Sequence, residues 1–439
     1  SETEKSGEIA ASKIIDNGPS DMQIYQNAMK LIDDDDVDKT LWLVRNLSSI
    51  RWEDAVPCRI GARMGRPEKS GIREMKPMVH SLYPIGGSGG PQRLMQQASN
   101  KVSITVEMSP RTCKKCGKSS GHIICHNRVD QSDPIECGGR TVVRNNKNQQ
   151  RRRLGERTNV PIESILEVKR RSLNLERLPI RIKAMKELIS KLQTPEPIEK
   201  GILRAKHNLS VFRDGTARYD MIDVPVTHFK PSEIGTPWKK LYNLGYKYDM
   251  FGKQLKSDDQ ILELYPQDFI PSINGKEHLI STCKFVDELL VRFYKMEPFY
   301  NVKHELDLVG QLGIGLAPHT SGGVLCRIIG WTKASAGYAH PLFHAAKRRN
   351  CDGDEDSIML LLDGLLNFSR SILPSGRGGQ MDAPLVLSTR INPSEIDKEA
   401  LNVDCSWSYS SSFYESTLTQ PHPSEMMNMV DLVSHREGS

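Results

Sequence analysis

The chain has 439 residues, a length that suggests about three domains of ordinary size. Its 60 Lys and Arg residues exceed its 54 Asp and Glu residues, giving a formal net charge of +6, which is consistent with a polyanionic partner if the cations are clustered. No run approaches the roughly 18 to 20 apolar residues of a membrane-spanning helix, and the opening lacks signal-peptide order, so we expect neither a membrane protein nor a secreted one.

The first 110 residues fall into two predicted segments. Residues 1–50 carry an acidic run after a polar amphipathic stretch, which indicates a solvated helical segment. Residues 51–110 contain β-branched and glycine-rich pieces, which predict strands joined by Gly/Pro turns in a first β-barrel region. Five cations near its start form either a solvated basic face or a surface that closes over a triphosphate or template: Arg63, Arg66, Lys69, Arg73 and Lys76.

Residues 111–140 are predicted to be a zinc-binding module. Four of the nine cysteines lie there, and the scatter of the others indicates reduced thiols rather than disulfides. The pair Cys113-x2-Cys116 is typical of a zinc site, and the cations around it favour a structural Zn²⁺. Eleven residues separate Cys125 from Cys137, so the second half departs from a second CxxC. This leaves His122 and His126 open as substitute ligands.

The middle of the chain alternates between helical and strand-like patterns. Residues 141–199 combine a basic loop or tether at 144–153 with basic helices over 162–192. Residues 200–235 return to strands that complete a barrel region, and residues 236–300 indicate a helical connector. The lone histidines His228 and His319 are interpreted as structural.

Residues 301–400 form a second glycine-punctuated, strand-rich region with the densest polar cluster of the chain. Lys347, Arg348 and Arg349 directly precede a loop in which Asp352 and Asp354 flank Gly353. A glycine permits a sharp bend, so both carboxylates, with Asn350, can converge on one hard divalent cation. The alternative is an Asp/Gly turn without a ligand.

Apolar residues at helical spacing follow this loop. They predict a buried helix capped by Asp356 or Ser357, built on Ile358, Leu361, Leu362, Leu365 and Leu366. Residues 401–439 are a C-terminal segment that we expect to be truncated. Two β regions separated by helices predict an α+β fold in which one chain builds two barrels.

Several strings resemble the large catalytic subunit of archaeal D-family DNA polymerase. They occur in the same order through nearly the whole chain: GARMGRPEK at 61–69, PEPIEKGILRAKHNLSVFRDGTARYD at 195–220, GLAPHTS at 315–321, AHPLFHAAKRRNCDGDED at 339–356 and RGGQMDAPLVL at 377–387. The resemblance implies two double-psi β-barrels that share one active site, as in multisubunit RNA polymerases. It also implies an inserted zinc module at 113–137.

The resemblance assigns roles to residues of this chain. The family's catalytic motif falls on Asn350, Asp352 and Asp354, with the two aspartates as ligands of Mg²⁺, and the first barrel would contribute Lys69 and Lys76. Family members are longer, so the chain is interpreted as the catalytic portion. The implied partners are primer–template DNA, dNTPs, a small proofreading exonuclease subunit and a sliding clamp bound through regions missing here. The implied location is cytoplasmic, at the archaeal nucleoid.

The leading hypothesis is DNA-templated transfer of a nucleotide from a dNTP to a primer 3′-hydroxyl. Besides Lys69 and Lys76, the expected phosphate or DNA ligands are Arg66, Lys347, Arg348 and Arg349. One alternative is a ribonucleotide polymerase on the same barrels. The other is a basic, zinc-stabilised DNA-binding module whose acidic residues are only a turn.

Overall fold

The computed structural model describes residues 67, 69–101, 103–109, 111–120, 122–125, 137–143, 156–188, 193–350, 353–374 and 376–436. The predicted N-terminal helical segment 1–50, Arg66, His126, the tether 144–153 and Asp352 lie outside the described residues. Among the helices described, none has both the length and the apolar character needed to cross a bilayer.

The fold mixes short strands and short helices. The strands are β1 Ser70–Arg73, β2 Ser81–Pro84, β3 Ile104–Met108, β4 Arg111–Cys113, β5 Ser119–Ser120, β6 Thr141–Val143, β7 Glu156–Val160, β8 Ala184–Met185, β9 Arg218–Pro225, β10 His228–Phe229, β11 Leu262–Glu263, β12 Asp268–Ile270, β13 Leu312–Leu316, β14 Gly322–Ile328, β15 Ala336–Ala339, β16 Glu355–Leu360 and β17 Val386–Ser388. The helices are α1 Met95–Ser99, α2 Ile162–Ser172, α3 Ile198–Lys206, α4 Trp238–Leu244, α5 Lys276–Leu289, α6 Pro341–Ala346, α7 Leu361–Asn367, α8 Arg377–Gln380, α9 Lys398–Leu401, α10 Ser411–Thr417 and α11 Pro423–Met426.

Six strands close into a β-barrel. Their order around the barrel is β9, β15, β12, β14, β13 and β16, and pairing of β16 with β9 closes the ring. The pairs β9–β15 and β12–β14 are parallel, and the other four pairs are antiparallel. Closure leaves these strands without a free edge, although β1 also pairs with β9 and β17 with β14.

The described residues contain one closed barrel, where the sequence predicts two. Strands β2 and β8, β3 and β7, and β4 to β6 form separate small sheets. The first two pairs pack with α1, α2, α3 and α5 around a large apolar core. The second barrel and the double-psi connectivity therefore stay predictions. The predicted boundaries also stay predictions, and the observed barrel takes strands from the ranges 200–235, 236–300 and 301–400.

The helix predicted after the acidic loop is wrong in its first half. Residues Glu355–Leu360 form strand β16, and the helix begins only at Leu361. A continuous apolar run suits a strand buried on both faces as well as a buried helix, so periodicity alone does not separate the two. Pairing with β9 and β13 decides the outcome, and Asp356 and Ser357 are buried strand residues instead of helix caps.

Candidate active site

Three segments meet where β16 begins beside β9. Asp223 on β9 donates its backbone N–H to the carbonyl of Asp354 at 2.8 Å. The next backbone N–H along, that of Ile222, donates to the carbonyl of Lys69 at 3.0 Å, just before β1. The β9 backbone therefore holds Lys69, from the first β region, beside the acidic loop. The third segment is the C-terminal end of α6.

Helix α6 ends in a turn that sends three consecutive cations in different directions. The N–H of Arg348 donates to the carbonyl of Ala345 at 2.8 Å, and the N–H of Arg349 donates to that of His344 at 3.2 Å. This pattern is a Schellman motif, in which the residue after the cap adopts the left-handed conformation, usually as glycine. Here that residue is Arg348, with φ +63°.

Lys347 points into the barrel. Its side chain is almost fully buried, and its ammonium lies 2.6 Å from Asp223 Oδ2 and 2.5 Å from Asp356 Oδ2. Gly315 makes room for it, since a Cβ there would lie 3.1 Å from Lys347 Cδ. The ammonium is therefore already paired away from the surface, and the predicted direct contact of Lys347 with phosphate does not fit this arrangement.

Burial shifts the pKa values of the groups around Lys347. Burial, together with the charge of Asp223, raises the pKa of Asp356 to about 6. Burial alone would lower the pKa of Lys347, but the two carboxylates outweigh it and raise that pKa. Burial also lowers the pKa of His344 to about 3, so this imidazole, 3.0 Å from Asp223, is neutral. The barrel interior thus holds a charged lysine between two acids.

Arg349 closes the acidic loop on itself. Its Nε lies 2.7 Å from Asp356 Oδ1, its Nη1 lies 3.3 Å from Asp354 Oδ2, and its Nη2 donates to the carbonyl of Glu355 at 2.9 Å. Within the loop Gly353 has φ +85°, which confirms the predicted glycine bend. The side chain of Asp354 is one-fifth exposed, so solutes reach a carboxylate that the protein also holds in place.

The other predicted cations make fewer contacts with the acidic loop than Arg349 does. Lys69 Nζ lies 3.1 Å from Glu355 Oε2, and the lysine side chain is 69% exposed, so this surface ion pair contributes little to stability. Lys76 is exposed beyond β1. Asn350 is also exposed, at the start of the acidic loop.

The four predicted cysteine ligands converge. All four sulfur atoms lie within 4.8 Å of one another, with 3.7 Å between Cys113 and Cys137 and 3.6 Å between Cys116 and Cys125. Sulfur atoms around a tetrahedral Zn²⁺ with bonds of about 2.3 Å lie about 3.8 Å apart, so this set fits zinc. Backbone N–H groups of Cys116 and Lys115 donate to the Cys113 sulfur and lower its pKa to about 6, which favours a thiolate.

The geometry of the cysteine cluster favours Cys137 over His122 as the fourth zinc ligand. Cys137 completes the set, whereas His122 stacks on Tyr83, with 5.5 Å between ring centroids and 3.2 Å from His122 Nε2 to the Tyr83 hydroxyl. Gly139 is needed close by, because a Cβ there would lie 2.7 Å from the Cys113 sulfur.

Comparison with known proteins decides the family. The catalytic domain of DNA polymerase II large subunit DP2 matches residues 175–439, and the central domain of the same subunit matches residues 11–153. The chain belongs to the DNA polymerase II large subunit family. The resemblance read from the sequence is therefore confirmed.

Individual relatives with the same family name align with most of this chain. DNA polymerase II large subunits from Methanocella arvoryzae, Methanosarcina barkeri and Archaeoglobus fulgidus are each 47% identical, over 426, 418 and 419 residues. The matches cover 92%, 92% and 90% of this chain but only 37%, 36% and 36% of the relatives. The chain thus spans little more than a third of the length of these polymerase subunits.

Both matched regions of the polymerase subunit supply residues to the barrel end. Lys69 lies in the central-domain match, and Asp354 lies in the catalytic-domain match. Sequence reasoning missed Asp223 and a second buried network beside it, in which Arg73 lies 2.8 Å from Asp220 and 2.6 Å from Asp382. The available signal was an unusual one, since charged residues recur among the apolar residues of strand β9.

Proposed function

We propose that this chain carries the catalytic centre of a DNA-directed DNA polymerase. In the proposed reaction a primer 3′-hydroxyl attacks the α-phosphate of a dNTP. A new phosphodiester bond forms, the bond between the α- and β-phosphates breaks, and pyrophosphate leaves while the hydroxyl proton is lost. The observation that carries the proposal is that one barrel strand, β9, holds both Asp354 and the cation Lys69, in a chain of this family.

Oxygen ligands at the acidic loop fit Mg²⁺. Asp354 offers a partly exposed carboxylate and Asn350 an exposed amide, and hard cations prefer carboxylate and amide oxygens. Asp352 would join them as the second acid. When bound there, Mg²⁺ would supply stabilisation of the negative charge that develops on the attacking and leaving oxygens.

The protein's own groups have separate proposed roles. Arg349 orients Asp354 through the contact at 3.3 Å, and Lys347 fixes the barrel wall behind the loop by pairing with Asp356. Lys69 would neutralise phosphate at the mouth, where exposure leaves its ammonium accessible. Arg66 and Lys76 stay proposed DNA ligands, and Arg348 is proposed to contact phosphate from the outer side of the turn.

Two further parts of the proposal concern the whole enzyme. The cysteine cluster would hold a structural Zn²⁺, supported by the mutual approach of its four sulfur atoms. The full-length subunit would work in archaeal DNA replication at the nucleoid, with a small subunit that supplies exonuclease activity and with a sliding clamp. The sliding clamp would bind through parts of the longer relatives that this chain does not span.

Primer extension tests the catalytic proposal. Asp354→Asn keeps the size of the side chain but removes its charge, so we expect extension of a labelled primer to fall at least about 10³-fold while DNA binding in EDTA is retained. The matched control is Asp259→Asn, an exposed aspartate outside the barrel, which should extend like the unchanged chain. Extension by Asp354→Asn at the control rate would refute the assignment.

A further inference from the structure

A polar cleft lies on the outer side of the α6 turn. It has a volume of about 630 Å³ and three walls: the turn that joins β13 to β14 at 319–322, the end of α6 at 345–348, and β17 with the loop after it, at 386–396. Nucleotide-sized ligands occupy sites of about 300 to 1,000 Å³. The cleft therefore has the size of a nucleotide site.

The charge of this cleft is unbalanced. Arg348 and Arg390 line it against one carboxylate, that of Glu395, while the ammonium of Lys347, which also lines the cleft, is paired inside the barrel. Glu395 instead accepts a hydrogen bond from the Asn392 amide at 3.0 Å. In the described part of the chain, neither arginine side chain has a hydrogen-bond or ion-pair partner, and both residues are exposed.

Nearby arginines behave differently. Arg349 and Arg73 each contact two carboxylates, and Arg218 pairs with Asp214 and Asp382. These three arginines are thus held by carboxylates, whereas the two described arginines of the cleft are not. Unpaired guanidinium groups that face the same cavity match the forked, bidentate geometry with which arginine binds phosphate oxygens.

The backbone at Arg348 supports a functional reason for this residue. The left-handed position after a helix cap suits glycine, and a side chain there is strained. Strain of this kind concentrates at functional sites. Glycine would occupy this backbone position with less strain, whereas the arginine places its side chain in the cleft while the ammonium of Lys347 pairs inside the barrel.

We infer that the cleft binds phosphate groups through Arg348 and Arg390, with the hydroxyl of Ser388 and the amide of Asn392 as neutral donors. This inference rests on the proposed function, since it makes the cleft a subsite of nucleotidyl transfer. The phosphate belongs either to the backbone of a DNA strand or to the triphosphate of a dNTP. Both sources share the same chemistry, and separate binding assays distinguish them.

The test measures binding without catalysis. One probe is a fluorescein-labelled primer–template duplex in EDTA, titrated at several salt concentrations. The other is dATP by equilibrium dialysis with Mg²⁺ and no primer. The variants are Arg348→Gly and Arg390→Gln. The control, Arg177→Gln, removes the same charge from an exposed arginine between α2 and β8.

We expect both variants to weaken binding of one probe about 10-fold, and the control to change it less than 2-fold. If the ligand is DNA backbone, the slope of log affinity against log salt falls by about one for each arginine removed. If the ligand is the triphosphate, dATP binding falls and the duplex slope is unchanged. Urea unfolding should find Arg348→Gly at least as stable as the unchanged chain, because glycine adopts φ +63° freely.

Two results would overturn the inference: both variants bind both probes like Arg177→Gln, or the unchanged chain binds neither probe. The proposed function fails by a different measurement. If Asp354→Asn abolishes extension but the arginine variants bind normally, only the cleft is refuted. If the variants lose phosphate binding but Asp354→Asn still extends primers, only the acidic site is refuted.

Discussion

Lys347 shows how much of the barrel end depends on one side chain. Its ammonium sits between Asp223 and Asp356, and the second oxygen of Asp356 is bound by Arg349. Each buried charge thus has an opposite charge within hydrogen-bond distance. Such clusters add little net stability, but removing one member leaves the others uncompensated in a medium of low polarity.

We predict that Lys347→Met lowers the free energy of unfolding by about 3 to 5 kcal/mol, because two buried carboxylates lose their shared partner. Urea denaturation at pH 7.5 measures the change. The matched variant combines Lys347→Met with Asp223→Asn and Asp356→Asn, and it should recover much of the loss because the amides carry no charge. A loss below about 1 kcal/mol in the single variant would contradict the buried pairing.

Groups of residues that are close along the chain could be predicted from the sequence, whereas contacts that depend on strand pairing could not. Asn350, Gly353 and Asp354 are neighbours in the chain, so their grouping needs no knowledge of the fold. Asp223 contacts Lys347 because β9 pairs with both β15 and β16. No pattern in the sequence predicts this pairing or its register. The pairing of Lys347 with Asp223 and Asp356 was not predicted for the same reason, and its phosphate role stays a prediction.

At the scale of elements, the cysteine module is a small unit of its own. Strands β4, β5 and β6 form a three-stranded sheet that pairs with no other strand of the described residues, and Cys113, at the end of β4, lies close to the other three cysteines. In the described part of this unit the buried cluster consists of cysteines, so a metal bound there, more than an apolar core, would stabilise the unit.

We predict one Zn²⁺ per chain in the unchanged protein and in His122→Asn, and none or a weakly held one in Cys137→Ser. The four sulfur atoms supply the full tetrahedral set, whereas His122 is stacked on Tyr83. Metal analysis after dialysis measures the content, and hydrogen exchange should show lost protection in β4 to β6 of Cys137→Ser. Zinc loss in His122→Asn would mean that the histidine is a ligand.

The element that sequence reasoning misread is as informative as those it found. The four cysteines could be named because a CxxC pair with further cysteines at short spacing is typical of a zinc site, whatever the fold around it. Strand β16 could not be separated from helix α7 within one apolar run, since only pairing with β9 and β13 distinguishes them. Short barrel strands that lack polar alternation give no periodic signal.

At the scale of the whole molecule, buried histidines make the free energy of unfolding depend on pH. Burial lowers the pKa of His80, His228 and His278 to about 4 and that of His340 and His344 to about 3. The unfolded chain would protonate these groups near pH 6.5, so it takes up more protons than the folded state as the pH falls. Burial raises the pKa of Asp356 and of Asp363 to about 6, which acts in the opposite direction but involves fewer groups.

We therefore predict that the stabilising effect of the buried histidines is present above about pH 6.5 and that the free energy of unfolding falls as the pH drops from there through about 4 toward about 3, their folded-state pKa values. The histidines lose their stabilising effect over this window, while the two aspartates, protonated first in the folded state, offset part of the loss. Urea midpoints at pH 7.5, 6.0 and 5.0 measure the trend. A constant or rising midpoint toward pH 5 would contradict neutral burial of the histidines.

The barrel imposes a minimum on any shorter piece of this protein. Its first strand begins at Arg218, its third around the ring lies at Asp268–Ile270, and its last ends at Leu360. A fragment that begins at residue 301, where a boundary is predicted, would lack strands β9 and β12. The ring would then be open at two places, and the neighbouring strands would expose unpaired backbone groups. Expression libraries and domain swaps in this family should therefore keep 218–360 in one piece, whatever they discard around it.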